Sequence, residues 1–215
     1  MTGAVLWDMD GTLADSSDCH WRSWRDTMAA EGVSLTFDQF LASFGQKNDR
    51  ILRGWLGDAV AAERIERVGD AKEAEYRRMA RKAGLSPLPG AAAWVSRLHR
   101  DGWKQAIASS APRLNVEVML SALKLDGFFD AIVSAEDVTA GKPDPQVFQI
   151  AARRLGAEPH QSIVVEDAAV GIEAARRAGM RSIGVSRTET LAADIAVSSL
   201  EDLPPDAFTR LLVKT

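Results

Sequence analysis

The chain has 215 residues, 46% hydrophobic and 26% charged, with 26 Lys and Arg against 30 Asp and Glu for a formal charge of −4. That length suits one large domain or a domain carrying an insertion, and the acidic balance argues against a nucleic-acid partner held by broad electrostatics. A single Cys19 excludes an intrachain disulfide, and neither a membrane-length apolar stretch nor a signal pattern is present, so a cytoplasmic protein with no membrane partner is expected.

The first predicted strand is the short apolar run Ala4 to Leu6, leading into Trp7-Asp8-Met9-Asp10-Gly11-Thr12-Leu13-Ala14-Asp15. Two carboxylates two residues apart at the mouth of a buried strand are costly unless a cation or hydrogen bonds compensate them. Asp8 and Asp10 are therefore expected to form a cation site, a catalytic pair, or both, with a simple turn as the plain alternative. Gly11 permits a sharp change of direction, and Thr12 adds a hydroxyl.

Roughly ninety residues then separate this strand from the next, far more than a crossover needs. Trp21, Trp24 and Met28 share a helical face, Thr36 and Gln39 have the spacing of a capping box, and residues 58 to 83 are rich in Ala, Glu and Arg. An all-helical insertion over residues 16–84 is predicted, with residues 1–15 and 85–215 forming the core and Pro87 and Pro89-Gly90 marking the return. Placed directly after the carboxylates, it is expected to serve as a lid.

Further predicted strands are Gln105–Ala108, Ala131–Val133, Ser162–Val165 and Ser182–Val185. Between them, Pro112–Leu123 carries Val116, Met119, Leu120 and Leu123 on one face. Asp144-Pro145 opens a helix whose apolar face is Val147, Phe148, Ala151 and Leu155, and Ala168–Ala178 ends at Gly179. Strands alternating with helices predict an α/β fold, a doubly wound, Rossmann-like parallel sheet covered on both faces.

In such a sheet the residues that follow each strand gather along one edge. Asp8 and Asp10, Ser109-Ser110, Lys142 in Gly141-Lys142-Pro143, and Glu166-Asp167 all fall there. Carboxylate oxygens from Asp8, Asp10, Glu166 and Asp167 suit a hard cation such as Mg²⁺. Ser109 and the start of the next helix offer a hydroxyl and N–H groups to an anion, and Lys142 adds positive charge. Taken singly, each has a plain role: Ser109 or Ser110 as a helix cap, Lys142 as a solvated loop lysine, Glu166-Asp167 as a complement to a helix amino terminus. Together, and in this order, they match the needs of phosphoryl transfer.

Those motifs resemble the haloacid dehalogenase superfamily of phosphotransferases along essentially the whole chain. The resemblance implies that Asp8 is the nucleophile that accepts a phosphoryl group. It makes Asp10 the general acid/base, whose main-chain carbonyl also meets the metal, and gives Glu166 and Asp167 to the magnesium site. Ser109, Ser110, Gly11, Thr12 and Lys142 would hold the phosphoryl group. The insertion is similar to the lid of the β-phosphoglucomutase and sugar-phosphate phosphatase branch. His20 and Trp24 match its His-x-x-x-Trp pattern, Lys72 lies near Tyr76, and Lys47 lies in the loop Ser43–Arg50, where the mutase presents an arginine. His20, Lys47 and Lys72 are accordingly substrate-binding candidates. Trp55, Trp94 and Trp103 read as packing residues and Cys19 as inert.

The expected activity is a Mg²⁺-dependent phosphatase acting on a small phosphorylated metabolite, a sugar phosphate. β-Phosphoglucomutase activity is the alternative. A phospho-aspartate receiver is a third option from another class, although its aspartate follows the third strand and this one follows the first. The oligomeric state is left open, with a monomer compatible.

Overall fold

The computed structural model describes residues 3–43, 46–83 and 85–212; Phe44 and Gly45 of the loop Ser43–Arg50, and Gly84, lie outside them. In chain order the elements are β1 (Ala4–Trp7), α1 (Ser17–Ala30), α2 (Phe37–Ser43), α3 (Asn48–Leu56), α4 (Ala62–Ala83), α5 (Ala91–Arg100), β2 (Lys104–Ala108), α6 (Arg113–Leu123), β3 (Ala131–Val133), α7 (Gln146–Leu155), β4 (Ser162–Glu166), α8 (Ala169–Arg177), β5 (Arg181–Val185), β6 (Ile195–Val197) and α9 (Ala207–Leu212). They divide into two compact units, one of residues 1–15 and 86–215 and one of residues 16–85.

The first unit is a six-stranded parallel sheet in the order β3-β2-β1-β4-β5-β6. Its central strands β1 and β4 are almost wholly apolar on both faces because helices cover both. Leu6, Ala106, Ala108, Val133 and Val164 pack with Val147, Phe148 and Ala151 of α7 and Ala174 and Ala175 of α8. On the other face Trp7, Trp94 and Trp103 surround Phe208 of α9, with ring centroids 6.1, 5.0 and 6.0 Å away. Burying side chains of this size is worth about 1.5–3 kcal/mol each. Three-residue β6 has no counterpart in the predicted strands: it is too short and too exposed to carry a periodic apolar pattern.

Register brings the chemistry to one edge. Leu6 pairs with Ala106 and Val164, and Trp7 with Ile107 and Val165, so the next step sets Asp8 level with Glu166. β1 is also where the sheet order turns, the place at which connections diverge and open a crevice.

Gln105 is fully buried within the apolar run of β2. Its Oε1 accepts from Trp7 Nε1 at 3.0 Å, and its Nε2 donates to the Val95 carbonyl at 3.0 Å. Gln105→Leu would strand the buried Trp7 indole N–H, the Val95 carbonyl keeping its place in the α5 ladder, and is expected to lower stability by about 1–3 kcal/mol in urea titration. A loss below about 0.5 kcal/mol would show that the indole finds another partner.

The second unit is all-helical. Trp24 and Met28 of α1 pack with Phe40, Ile51, Leu52, Ile65 and Val68, and Trp24 meets Trp55 edge to face at 5.0 Å. The Thr36–Gln39 capping box forms in both directions, at 2.9 and 3.2 Å. Glu31 joins the end of α1 to Arg64 and Arg67 of α4. Among the described residues no helix is long and apolar enough to cross a membrane.

Candidate active site

The loop after β1 is a tight, internally bonded turn. The Asp8 N–H still donates to Val165 of β4 at 2.9 Å. The Leu13 and Ala14 N–H groups then fold back onto the Met9 carbonyl, at 3.0 and 3.1 Å. Gly11 has φ +82°, which strains any residue with a side chain, and a Cβ there would collide with the Asp167 carboxylate. Glycine is required twice over, once for the turn and once to let Asp167 in. Thr12 is buried, and its hydroxyl has no partner among the described residues.

Lys142 closes the group from the loop ahead of α7. Its Nζ donates to Asp8 Oδ1 and to Glu166 Oε1, each at 2.5 Å, and lies 5.2 Å over the Phe148 ring. The second Glu166 oxygen accepts the Ala168 N–H at 2.8 Å. Burial works against the Lys142 ammonium, but Asp8 and Glu166 outweigh it and raise its pKa, so it is a permanent cation.

Asp8, Glu166 and Asp167 present oxygens that all lie within 4.8 Å of one another. Fully ionised, three carboxylates against one ammonium would leave two uncompensated negative charges. The consequence is visible in the acids. Burial, with Glu166 and Asp10 nearby, pushes Asp8 up to about 7 against the pull of Lys142. Burial, then Asp8 and Glu166, pushes Asp167 up to about 9. A hard divalent cation fits this set in both donor chemistry and charge.

Ser109 is buried at the end of β2: its N–H donates to Val133 at 3.0 Å, and its Oγ accepts the Ala111 N–H at 3.1 Å. Ser110 follows, half-buried. At the α6 amino terminus, which was expected to offer N–H groups to an anion, the Arg113 N–H is given to the protein's own Glu136. Asp10 is half-buried and bridges to Ala14, and its carboxylate is outside the three-acid group.

His20, Lys47 and Lys72 belong to the helical unit. Lys72, from the middle of α4, is buried: its Nζ donates to Glu73 at 2.8 Å, lies 3.1 Å from His20 Nδ1, and rests over the rings of Trp24 and Tyr76. His20 stacks on Tyr76 at 4.2 Å. Asn48 donates to Glu73 at 2.6 Å, and Lys72 and Asn48 hold Glu73 ionised despite its burial. Lys47 precedes α3 and is half-buried.

Glu73 and Asn48 were missed because neighbours in a helix do not normally face each other and a 25-residue separation carries no periodic signal. Gly171 was also undervalued. Its place in α8 lies directly behind Glu166, and a Cβ there would overlap the Glu166 side chain. Gly171→Ala is expected to cost about 1–3 kcal/mol and to release Lys142 from Glu166. An unchanged denaturation midpoint would show that Glu166 can be repositioned freely.

The chain matches known proteins over most of its length. Residues 5–185 match the family described as haloacid dehalogenase-like hydrolase. The chloroplastic protein SUPPRESSOR OF QUENCHING 1 of Arabidopsis thaliana is 35% identical over 93% of this chain, which spans only 19% of that larger protein. The fructose-1-phosphate phosphatase YqaB of Escherichia coli (strain K12) is 30% identical over 84% of this chain and 95% of its own length. The crystal structure of a mutant CbbY from Rhodobacter sphaeroides in complex with xylulose-(1,5)bisphosphate superposes with a TM-score of 0.86 at 27% identity, covering 94% of this chain and 96% of that one.

Proposed function

Because this chain belongs to the haloacid dehalogenase-like hydrolases, enzymes of the phosphatase and phosphotransferase type, we propose that it is a Mg²⁺-dependent phosphatase of a small phosphorylated metabolite, a sugar phosphate. The observation that carries this is the junction of Asp8, Lys142, Glu166 and Asp167 at the turning point of the sheet. Relatives named for a hexose monophosphate and bound to a pentose bisphosphate support the substrate class.

In this reading an Asp8 carboxylate oxygen attacks phosphorus and the ester P–O bond breaks. Asp10 gives its proton to the departing alkoxide. Asp10 then takes a proton from water as that water attacks the aspartyl-phosphate, releasing inorganic phosphate and restoring Asp8. Lys142 stays protonated throughout and offsets charge on the phosphoryl oxygens, while Ser109, Ser110, Gly11 and Thr12 supply hydroxyl and main-chain donors around it. Asp8, Glu166, Asp167 and the Asp10 carbonyl would hold Mg²⁺, which when bound offsets the repulsion between a carboxylate and an anionic phosphoryl group. His20, Lys47 and Lys72 are assigned to the substrate's other end or to the support of residues that meet it. A cytoplasmic setting suits the single buried Cys19.

The test is phosphate release from a panel of sugar and polyol phosphates with Mg²⁺ present. At least one ester is expected to turn over with kcat/KM of about 10⁴ M⁻¹s⁻¹ or more. No Asp8-dependent release from any phosphate ester would overturn the assignment.

A further inference from the structure

Lys142 reaches Asp8 and Glu166 from a loop, between the turn after β3 and the start of α7. Its four-carbon stem is flexible, so a mobile loop would leave the ammonium without a fixed position. The first residue of α7 supplies the fixing. Gln146 turns its side-chain oxygen back over the loop and accepts the Thr139 N–H at 2.7 Å, the Ala140 N–H at 3.1 Å and the Thr139 hydroxyl at 3.2 Å. The Gln146 N–H donates to Asp144 Oδ1 at 3.0 Å, and the Asp144 N–H to the Gly141 carbonyl at 3.0 Å. Lys142 lies between these two fastenings, and both end on Gln146.

α7 is in turn locked to the sheet. Phe148, two residues after Gln146, is fully buried in the core that it shares with Leu6 of β1 and Val164 of β4, and Lys142 Nζ lies 5.2 Å over its ring. One turn of helix therefore ties the lysine loop to the strands that lead into Asp8 and Glu166. N–H groups in a loop have no ladder to join, and here a side-chain carbonyl takes the place of one. Gln146 itself bonds only to the loop, so it bears on the carboxylates through Lys142.

We propose that Gln146 is a positioning residue for phosphoryl transfer, which fastens the loop of Lys142 to α7 and so holds the ammonium at the junction of Asp8 and Glu166. A small displacement of a charge-stabilising group weakens its hold on the transferring phosphoryl oxygens, so the chemical step is where a loosened loop is felt. The side chain has only to accept hydrogen bonds. Glutamate can do that in its place, and an apolar chain of the same length cannot. This rests on the hydrolase reading and adds to it a residue that no reacting atom touches.

The test pairs kinetics on the best ester of the panel, with Mg²⁺ present, with nuclear magnetic resonance of the lysine ammonium groups. Gln146→Met is expected to lower kcat about ten- to a hundredfold with KM changed less than about threefold, and Gln146→Glu to stay within about threefold of the wild type in both. In a Lys142→Met background the same Gln146→Met change should cost less than about threefold more, which a loss of general stability would not reproduce. The ammonium resonance that Lys142→Met removes should shift or broaden in Gln146→Met and return in Gln146→Glu. Gln146→Ala serves for the same comparisons if the methionine variant does not fold. An unchanged kcat in Gln146→Met, a further loss of about tenfold in the Lys142→Met background, a glutamate variant as impaired as the methionine one, or an unmoved ammonium resonance would each overturn the role of Gln146 while leaving the hydrolase intact. No turnover by the wild type on any ester would instead remove the hydrolase reading and this role with it.

Discussion

Replacing Asp8 with asparagine is expected to lower kcat by at least about 10⁴-fold on every ester that the wild type turns over, because an amide oxygen is a poor nucleophile toward phosphorus and cannot form the acyl phosphate. The fold should survive, and the stability change identifies why. Protonated Asp8 suits its buried site, so the stability it contributes is fully present below its unfolded pKa near 3.8 and is lost as pH rises through about 7. Above that, the ionised carboxylate is a liability in the protein without a cation. The amide introduced by Asp8→Asn carries no such charge. Its carbonyl oxygen can still accept from Lys142, which also keeps its bond to Glu166. Without Mg²⁺ the variant should therefore melt at least as high as the wild type at about pH 8, with less advantage near pH 5. Retention of more than about 1% of wild-type kcat would remove Asp8 from the role of nucleophile, whereas a collapsed melting curve would make it a structural residue.

Chelation of divalent cations should be nearly as damaging, with activity falling at least about 10³-fold and returning on addition of Mg²⁺. The pH dependence of that recovery follows from the crowded carboxylates. Burial, with Glu166 and Asp10, holds Asp8 up to about 7, and burial, then Asp8 and Glu166, holds Asp167 up to about 9, so in the cation-free protein Asp167 keeps its proton through neutrality and Asp8 takes one up below about pH 7. Binding requires the carboxylate forms and must expel those protons. Affinity should therefore rise by about tenfold or more per pH unit between roughly pH 6 and 8. Calorimetry in buffers of different ionisation enthalpy would count the protons released, and Mg²⁺ should raise the melting temperature more at about pH 8 than at about pH 6. Activity that persists in chelator, or a cation affinity flat across this range, would show that these carboxylates do not hold the ion.

Lys142 ties the two expectations together. Its ammonium reaches Asp8 across 134 residues of sequence and Glu166 across 24. Nothing in Gly141-Lys142-Pro143 itself announces either partner; only its place after a strand suggested the edge on which it lies. The same holds within the helical unit. Lys72 and Glu73 are consecutive, yet both are buried and paired to each other, with Asn48 and His20 completing the cluster. Lys72, a substrate-binding candidate in the sequence, is in the fold one half of an internal ion pair with Glu73. Its own unit sets its surroundings, with the aromatic faces of Trp24 and Tyr76 beside it.

What the sequence by itself determined about this protein is whatever depends on near neighbours. Short β-branched runs between amphipathic helices define a parallel α/β sheet, because period and length distinguish strand from helix within a few residues. Thr36 and Gln39 cap a helix because three-residue spacing brings each side chain to the other's backbone. Asp8-Met9-Asp10-Gly11 announces a costly pair of acids and a turn, because both costs are local. Tertiary structure alone decided which charges meet. The register of β1 against β4 sets Asp8 level with Glu166, the absence of a side chain at Gly11 admits Asp167, and the absence of one at Gly171 admits Glu166. It also paired the Arg113 N–H at the start of α6 with Glu136, across 23 residues of sequence. Electrostatic energy depends on separations of a few ångströms between groups far apart in the chain, and those separations exist only once the strands have paired and the loops have closed.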